Sequence, residues 1–149
     1  MALRDAAARA GEPPPGVVFT IDEPPTFVPR MRSDRDKTTR ILVGLLSNAF
    51  KFAPGGRVNA SVEVAGGRVR YLVRDTGIGM TPAAQAVVFE EFRQADGSAT
   101  RRFGGSGLGL ALARGLARLL GGEIEVVSAS GAGSTFTLEL PLESADVRP

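Results

Sequence analysis

The clearest pattern lies between residues 34 and 50. Ile41, Leu42, Leu45, Leu46 and Ala49 recur at i, i+1, i+4, i+5 and i+8, the spacing of one buried helix face. Ser33 or Asp34 can cap this helix, and Pro54-Gly55-Gly56 ends it. The period then changes to two. Val58, Ala60, Val62 and Val64 alternate with Asn59, Ser61 and Glu63, and Val69, Tyr71 and Val73 alternate with Arg68, Arg70 and Arg74. Ala65-Gly66-Gly67 suits a tight turn, so the two runs predict a β-hairpin. After Asp75 the pattern predicts a loop, a short helix near Pro82 to Phe92, and a flexible stretch to Ser106. A second helix from Gly107 or Leu108 to Leu120 stops at Gly121-Gly122. Strands at Glu123–Ser128 and Ser134–Leu140 follow. Upstream, Ala2 to Ala10 can be helical, Pro13-Pro14-Pro15 stops it, Val17–Ile21 predicts a short strand, and Phe27-Val28-Pro29 another extended piece. No β-α-β repeat is present. The expected class is therefore α+β, with helices on one face of a mixed or antiparallel sheet. Residues 1–15 read as the remnant of an upstream connection, 16–141 as the domain and 142–149 as a tail.

Composition removes several chemistries. The 149 residues include no Cys and no His. That excludes disulfides, Cys- or His-ligated metal, a thiol nucleophile and a Ser-His-Asp triad. Eighteen basic and 16 acidic residues leave a net charge of +2. Arg30, Arg32, Arg35 and Lys37 are interleaved with Asp34 and Asp36, and only Arg101-Arg102 forms a short basic pair. Nucleic acid is accordingly not an expected partner. No stretch approaches the ~20 apolar residues of a bilayer span, and no signal sequence opens the chain. The expectation is cytoplasmic exposure without direct membrane contact, compatible with a membrane-anchored parent.

Nineteen glycines, well above the usual ~7%, concentrate in two clusters. Asp75-Thr76-Gly77-Ile78-Gly79-Met80 directly follows a strand. A carboxylate there can accept from a flat polar ligand, while glycines permit close backbone approach; a plain turn fits equally well. Gly104-Gly105-Ser106-Gly107-Leu108-Gly109 feeds into a helix. Free N–H groups and the helix dipole suit an anion such as phosphate; a hinge with a helix start is the even alternative. Neither the Walker pattern nor G-x-G-x-x-G is met in that cluster, which disfavours P-loop and Rossmann folds. A third element, Leu45-Leu46-Ser47-Asn48-Ala49-Phe50-Lys51-Phe52, places Asn48 and Lys51 as helix-surface neighbours. An amide oxygen can ligand Mg²⁺ and an ammonium can meet phosphate, although polar residues on a solvated face are ordinary.

Taken in order, Leu-Leu-Ser-Asn-Ala-x-Lys-Phe, Asp-Thr-Gly-Ile-Gly-Met, Phe89-Glu90-Glu91-Phe92-Arg93-Gln94 and Phe103-Gly104-Gly105-Ser106-Gly107-Leu108-Gly109-Leu110 change the picture. The series resembles the N box, first glycine box, F box and second glycine box of the catalytic, ATP-binding domain of sensor histidine kinases, over about residues 16–141. The resemblance implies a Bergerat-type two-layer α/β sandwich, with ATP held between helices and a mobile lid from about Thr81 to Ser106. It implies Asn48 as the Mg²⁺ ligand, Lys51 facing the phosphates and Asp75 accepting from the adenine amino group. Gly77 and Gly79 would shape that wall. Gly105, Gly107 and Gly109, with Leu108, would line the phosphate side, and Phe89 and Phe92 would anchor the lid by packing. Asn48 and Lys51 are then the candidate catalytic residues.

Two departures bear on activity. The family's first N-box Asn is Gly44 here, which has no side chain to act as base or ligand; glycine inside a helix also costs roughly 1 kcal/mol against Ala. Direct hydrolysis of the gyrase or Hsp90 kind is disfavoured, and weakened Mg²⁺ or phosphate contacts are expected. The second departure is the absent histidine: the phosphoacceptor would sit on a separate dimerisation domain, with a response regulator downstream. Without that domain the chain is expected to be monomeric. The leading expectation is γ-phosphoryl transfer from Mg-ATP to that histidine. A nucleotide-sensing pseudokinase module is the alternative, and the F box and second glycine box fit less well with a related anti-sigma serine kinase.

Overall fold

A computed structural model describes residues 2–22, 35–53, 55–89 and 107–141. Among the described residues, four helices and five strands run in the order α1 (Ala2–Ala10), β1 (Val18–Ile21), α2 (Arg35–Phe52), β2 (Arg57–Ala65), β3 (Arg68–Asp75), α3 (Pro82–Val87), α4 (Gly107–Leu119), β4 (Glu123–Ala129) and β5 (Gly133–Pro141). The strands form one mixed sheet in the order β1-β2-β3-β5-β4. β1 runs parallel to β2, and every other pairing is antiparallel. The expected α+β sandwich is what forms.

Period two sorts the sheet into faces. Val69, Tyr71 and Val73 of β3 are buried, as are Phe136, Leu138 and Leu140 of β5, while Arg68, Arg70 and Arg74 point the other way and are exposed. Helix α2 supplies the opposing layer. Its Ile41, Leu42, Leu45, Leu46 and Ala49 are fully buried, and Phe50 meets Phe19 of β1 edge-on with ring centroids 5.3 Å apart. Each such burial stabilises by roughly 1.5–3 kcal/mol. Asp36 in the first turn and Lys51 in the last suit the helix dipole. α4 packs beside α2 and over β4, through Leu110, Ala113, Ala117 and Leu120.

Two expectations shift. The stretch read as a connection contributes a packed helix: α1 lies against α2, with Leu3 and Ala6 fully buried. Burial of Leu3 makes it part of the core rather than a tether. The short helix α3 ends at Val87, and Val88 and Phe89 continue as a turn; residues 90–92 of the expected span lie outside the described residues. The extended piece at Phe27–Pro29, the cap at Ser33 or Asp34, and the tail 142–149 lie outside the described residues.

Candidate functional site

The site begins with the phase of a strand. Val69, Tyr71, Val73 and Asp75 occupy the same side of β3, so the last inward position carries a carboxylate instead of a hydrocarbon. Asp75 is only 7% exposed. A buried carboxylate is costly unless hydrogen-bonded. The Gly77 N–H donates to Asp75 Oδ1 at 2.8 Å, and the Ser134 N–H donates to the same carboxylate. Burial pushes the Asp75 carboxyl above its ordinary range, and these two N–H groups oppose that only in part. Two donors leave acceptor capacity on a group with about four lone-pair sites.

Register extends this polar position sideways. Asp75 pairs with Ser134 on β5, and Ser134 pairs with Ser128 on β4. The Ser128 and Ser134 hydroxyls are 2.8 Å apart, and the Ser128 hydroxyl also donates to the Gly133 carbonyl at 2.9 Å. Ser128 has a single proton, so with it on Gly133 the Ser134 hydroxyl is the donor between the two serines. Neither serine was expected from the sequence. The signal was there: Ser134 precedes Phe136, Leu138 and Leu140 in the same inward phase, and is 9% exposed.

The first glycine cluster is seated on this row by backbone contacts. The Ile78 N–H donates to the Phe52 carbonyl at the end of α2 (3.1 Å), and the Gly131 N–H donates to the Ile78 carbonyl (2.6 Å). The Met80 N–H donates to Ser128 Oγ (2.8 Å). Gln85 of α3 donates to the Met80 carbonyl (3.2 Å) and to the Ser128 carbonyl (3.0 Å). The glycines are demanded by these approaches. A Cβ on Gly77 would stand 1.8 Å from the Phe52 carbonyl oxygen. Gly79 has φ +69°, and a Cβ there would be 1.9 Å from the Ala129 carbonyl oxygen. Their glycine character serves backbone packing within the chain, a demand the sequence left open between close approach of a ligand and a plain turn.

The other candidates enter through helices. Asn48 lies one turn before Phe52 on α2 and is half-buried; Lys51 is exposed; Gly44 is one turn further back. The direct contacts of Phe52 with Gly77 and Ile78 thus join the Asn48–Lys51 end of α2 to the Asp75 wall. Gly107, Leu108 and Gly109 form the first turn of α4, whose body packs on α2. Gly105 and Phe92 lie outside the described residues. Phe89 is half-buried, its ring edge-on to Phe136 at 6.2 Å. The Arg114 guanidinium covers that ring at 4.9 Å, and its Nε donates to Glu123 Oε1 at 3.0 Å. Burial works to raise the Glu123 carboxyl, but Arg118, the Ile124 N–H and Arg114 together hold it below its ordinary range. Among the described residues no three acidic side chains gather as a metal cluster. Among them, too, no helix is long and apolar enough to cross a membrane.

The structure is a mixed sheet under helices, with a buried carboxylate at a strand end followed by glycines. Residues 33–144 match the family described as histidine kinase-, DNA gyrase B- and HSP90-like ATPase, and the chain belongs to it. Within that family the similarity runs to sensor histidine kinases. The circadian input-output histidine kinase CikA of Synechococcus elongatus is 45% identical over 123 residues, covering 79% of this chain. The autoinducer 2 sensor kinase/phosphatase LuxQ of Vibrio vulnificus is 37% identical over 88% of it. This chain spans only 16% of the length of either protein. Full-length ShkA, solved in complex with AMPPNP, aligns with a TM-score of 0.77 at 32% identity, over 97% of this chain and 30% of that one. The catalytic domain of histidine kinase ThkA shares the fold at a TM-score of 0.79 and 22% identity, over 95% of this chain and 91% of that one.

Proposed function

We propose that this chain binds Mg-ATP and presents its γ-phosphoryl group to a histidine on a separate dimerisation domain of the same kinase. The observation that carries the nucleotide reading is Asp75: a buried carboxylate, held by two backbone donors, with acceptor capacity left for an adenine amino group. The relatives named as histidine kinases support the rest.

The residues present fit the bound groups. Asn48 offers one amide oxygen. Mg²⁺ bound with nucleotide commonly takes one or two protein carboxylates and fills its shell with phosphate oxygens and water; Asn48 would offer it a neutral amide oxygen, leaving the rest of the shell to phosphate and water. Bound Mg²⁺ would neutralise phosphate charge. Lys51 supplies a cation one helical turn on. Asp75, with Gly77 and Gly79 setting the wall, orients the base. The first turn of α4 at Gly107, Leu108 and Gly109 offers free N–H groups to the phosphates, and Gly105 belongs to the same motif. The chain's contribution to transfer is positioning and electrostatics; the nucleophile is the partner's imidazole, since no histidine is present here. Delivery to a response regulator follows from that partner. As a domain of such a kinase it works in the cytoplasm, as a monomer apart from its dimerisation partner.

Gly44 favours a second reading. One turn before Asn48, it leaves that one position of the helix face without a polar side chain. The alternative is a nucleotide-sensing module with weak or no transfer. Calorimetric titration with AMPPNP, with and without Mg²⁺, separates the two. Mg²⁺-dependent binding weakened about a hundredfold in Asp75→Asn and about tenfold in Asn48→Ala, a change of about 1.4 kcal/mol, supports the kinase. Tight binding indifferent to Mg²⁺ and to Asn48→Ala supports the sensor. Absence of binding overturns both.

A further inference from the structure

Residues 90–106 connect Phe89 to Gly107, and both ends of that connection are tied to one side chain. Arg114 sits five residues after Gly109, on the body of α4. Its guanidinium lies 4.9 Å from the centre of the Phe89 ring. The Phe89 ring also meets that of Phe136 on β5, a residue 1% exposed, in an edge-to-face pair with centroids 6.2 Å apart. Phe89 thus contacts both a cation carried by α4 and an aromatic carried by β5. A guanidinium stacks well only in a restricted orientation, and the edge of this one is fixed by Glu123, whose Oε1 accepts from Arg114 Nε at 3.0 Å. Glu123 is itself held: Arg118 donates to Oε2 from Nε at 3.2 Å and from Nη2 at 3.1 Å, and the Ile124 N–H donates to Oε1. Arg118 alone would pair Glu123. The pair to Arg114 adds its own hydrogen bond and charge to Glu123, and what it does besides is fix the direction of the guanidinium over Phe89.

We propose that Arg114 is a positioning residue for triphosphate binding. Steered by Glu123 and seated on Phe89, it sets the glycine-bearing first turn of α4 relative to the aromatic anchor on the sheet. This rests on the nucleotide-binding reading above and adds to it a residue that belongs to none of the four sequence motifs. Asp75 and the first glycine cluster are built without Arg114, so recognition of the adenosine end is independent of it. Loss of Arg114 consequently penalises ligands with phosphates more than adenosine itself.

The test compares AMPPNP with Mg²⁺, by calorimetry, with adenosine, by NMR shift titration, on the wild-type chain and on Arg114→Ala, Arg114→Lys, Phe89→Leu and the Arg114→Ala/Phe89→Leu pair. Arg114→Ala is expected to weaken AMPPNP five- to tenfold and leave adenosine within twofold. Arg114→Lys, which keeps a cation over the ring without the fork to Glu123, recovers part of the loss. The double variant binds AMPPNP no more weakly than the worse single variant, because the two residues act as one unit. A wild-type chain that binds both ligands, with AMPPNP and adenosine equally affected or equally unaffected by Arg114→Ala, overturns the positioning role and spares the nucleotide reading. A wild-type chain that binds neither overturns both.

Discussion

The Asp75 wall and the α4 side of the domain are built by different means. Around Asp75, backbone meets backbone: Gly77 against the Phe52 carbonyl, Gly79 against the Ala129 carbonyl, Ile78 bonded to both Phe52 and Gly131. No side chain can be trimmed from those contacts, and none can be added. On the α4 side the corresponding ties run through Arg114, Arg118 and Glu123, whose side chains are between 35% and 56% exposed. Exposed ion pairs are individually weak and easily replaced. The difference shows how one domain can hold the Asp75 wall through backbone contacts while leaving the first turn of α4 adjustable through side chains.

The contrast breaks most violently at Gly77. Alanine there forces a carbon to within 1.8 Å of a carbonyl oxygen in the helix terminus, so α2 and the loop must part. The expected loss is about 3–4 kcal/mol, in the range reserved for backbone clashes and buried disruptions. For a chain of this size that lowers the melting temperature by roughly 6–15 °C, read by thermal denaturation. Nucleotide binding should fall with it, since Asp75 depends on the Gly77 N–H.

Asp75→Asn sharpens the comparison by separating function from stability. Asparagine keeps one oxygen for the Gly77 and Ser134 N–H groups, where the carboxylate offers two, and removes a buried charge. The raised carboxyl of Asp75 means the charged form is less favourable folded than unfolded. Its penalty is absent well below the ordinary value of 3.8 and grows as pH rises through the folded value, being full above it. Relative to wild type, the variant should therefore be better off at pH 7 than at low pH, the difference shrinking as pH falls toward 3.8 and vanishing below, on top of a pH-independent loss of about 1 kcal/mol for the backbone donor left with a poorer acceptor. Denaturant titrations across pH measure this. Nucleotide affinity should drop by about a hundredfold, the worth of a hydrogen bond to a buried charged group at about 2–3 kcal/mol. A variant that loses more stability at neutral pH than the poorer acceptor accounts for would show that the carboxylate is structural.

Gln85→Ala is the mildest of the three. It removes two donors that tie α3 to the Met80 and Ser128 carbonyls, at an expected cost of about 1–2 kcal/mol. Because Met80 is also held by Ser128, the Asp75 wall should survive and adenosine binding should change little. Loss of adenosine binding would mean that the wall leans on α3 rather than on the backbone weld.

Most elements were legible along the chain because their signals are local. The 3.6-residue period of Ile41, Leu42, Leu45, Leu46 and Ala49 and the two-residue period around Val69, Tyr71 and Val73 need no partner to be read. Asp75 continues that second period, so its inward position was also readable once the strand was assigned. The early helix was harder. Leu3 is an isolated large apolar residue in an Ala- and Arg-rich run, and only the surface of α2 makes it a core residue.

The order of motifs along the sequence determined the family and nominated Asn48, Lys51, Asp75 and the two glycine clusters. Register and helix packing decided what those residues became. Ser134 is polar and unremarkable until β5 pairs with β3 and sets it beside Asp75. Ser128 joins only because β4 pairs with β5. Gly77 and Gly79 are flexible positions in one dimension and unavoidable ones in three, since the carbonyls they admit belong to Phe52 and Ala129, 25 and 50 residues away. Arg114 carries no motif at all. Its neighbours Phe89 and Glu123 meet it only through the packing of α4 on the sheet, and such contacts leave no periodic trace in the chain that forms them.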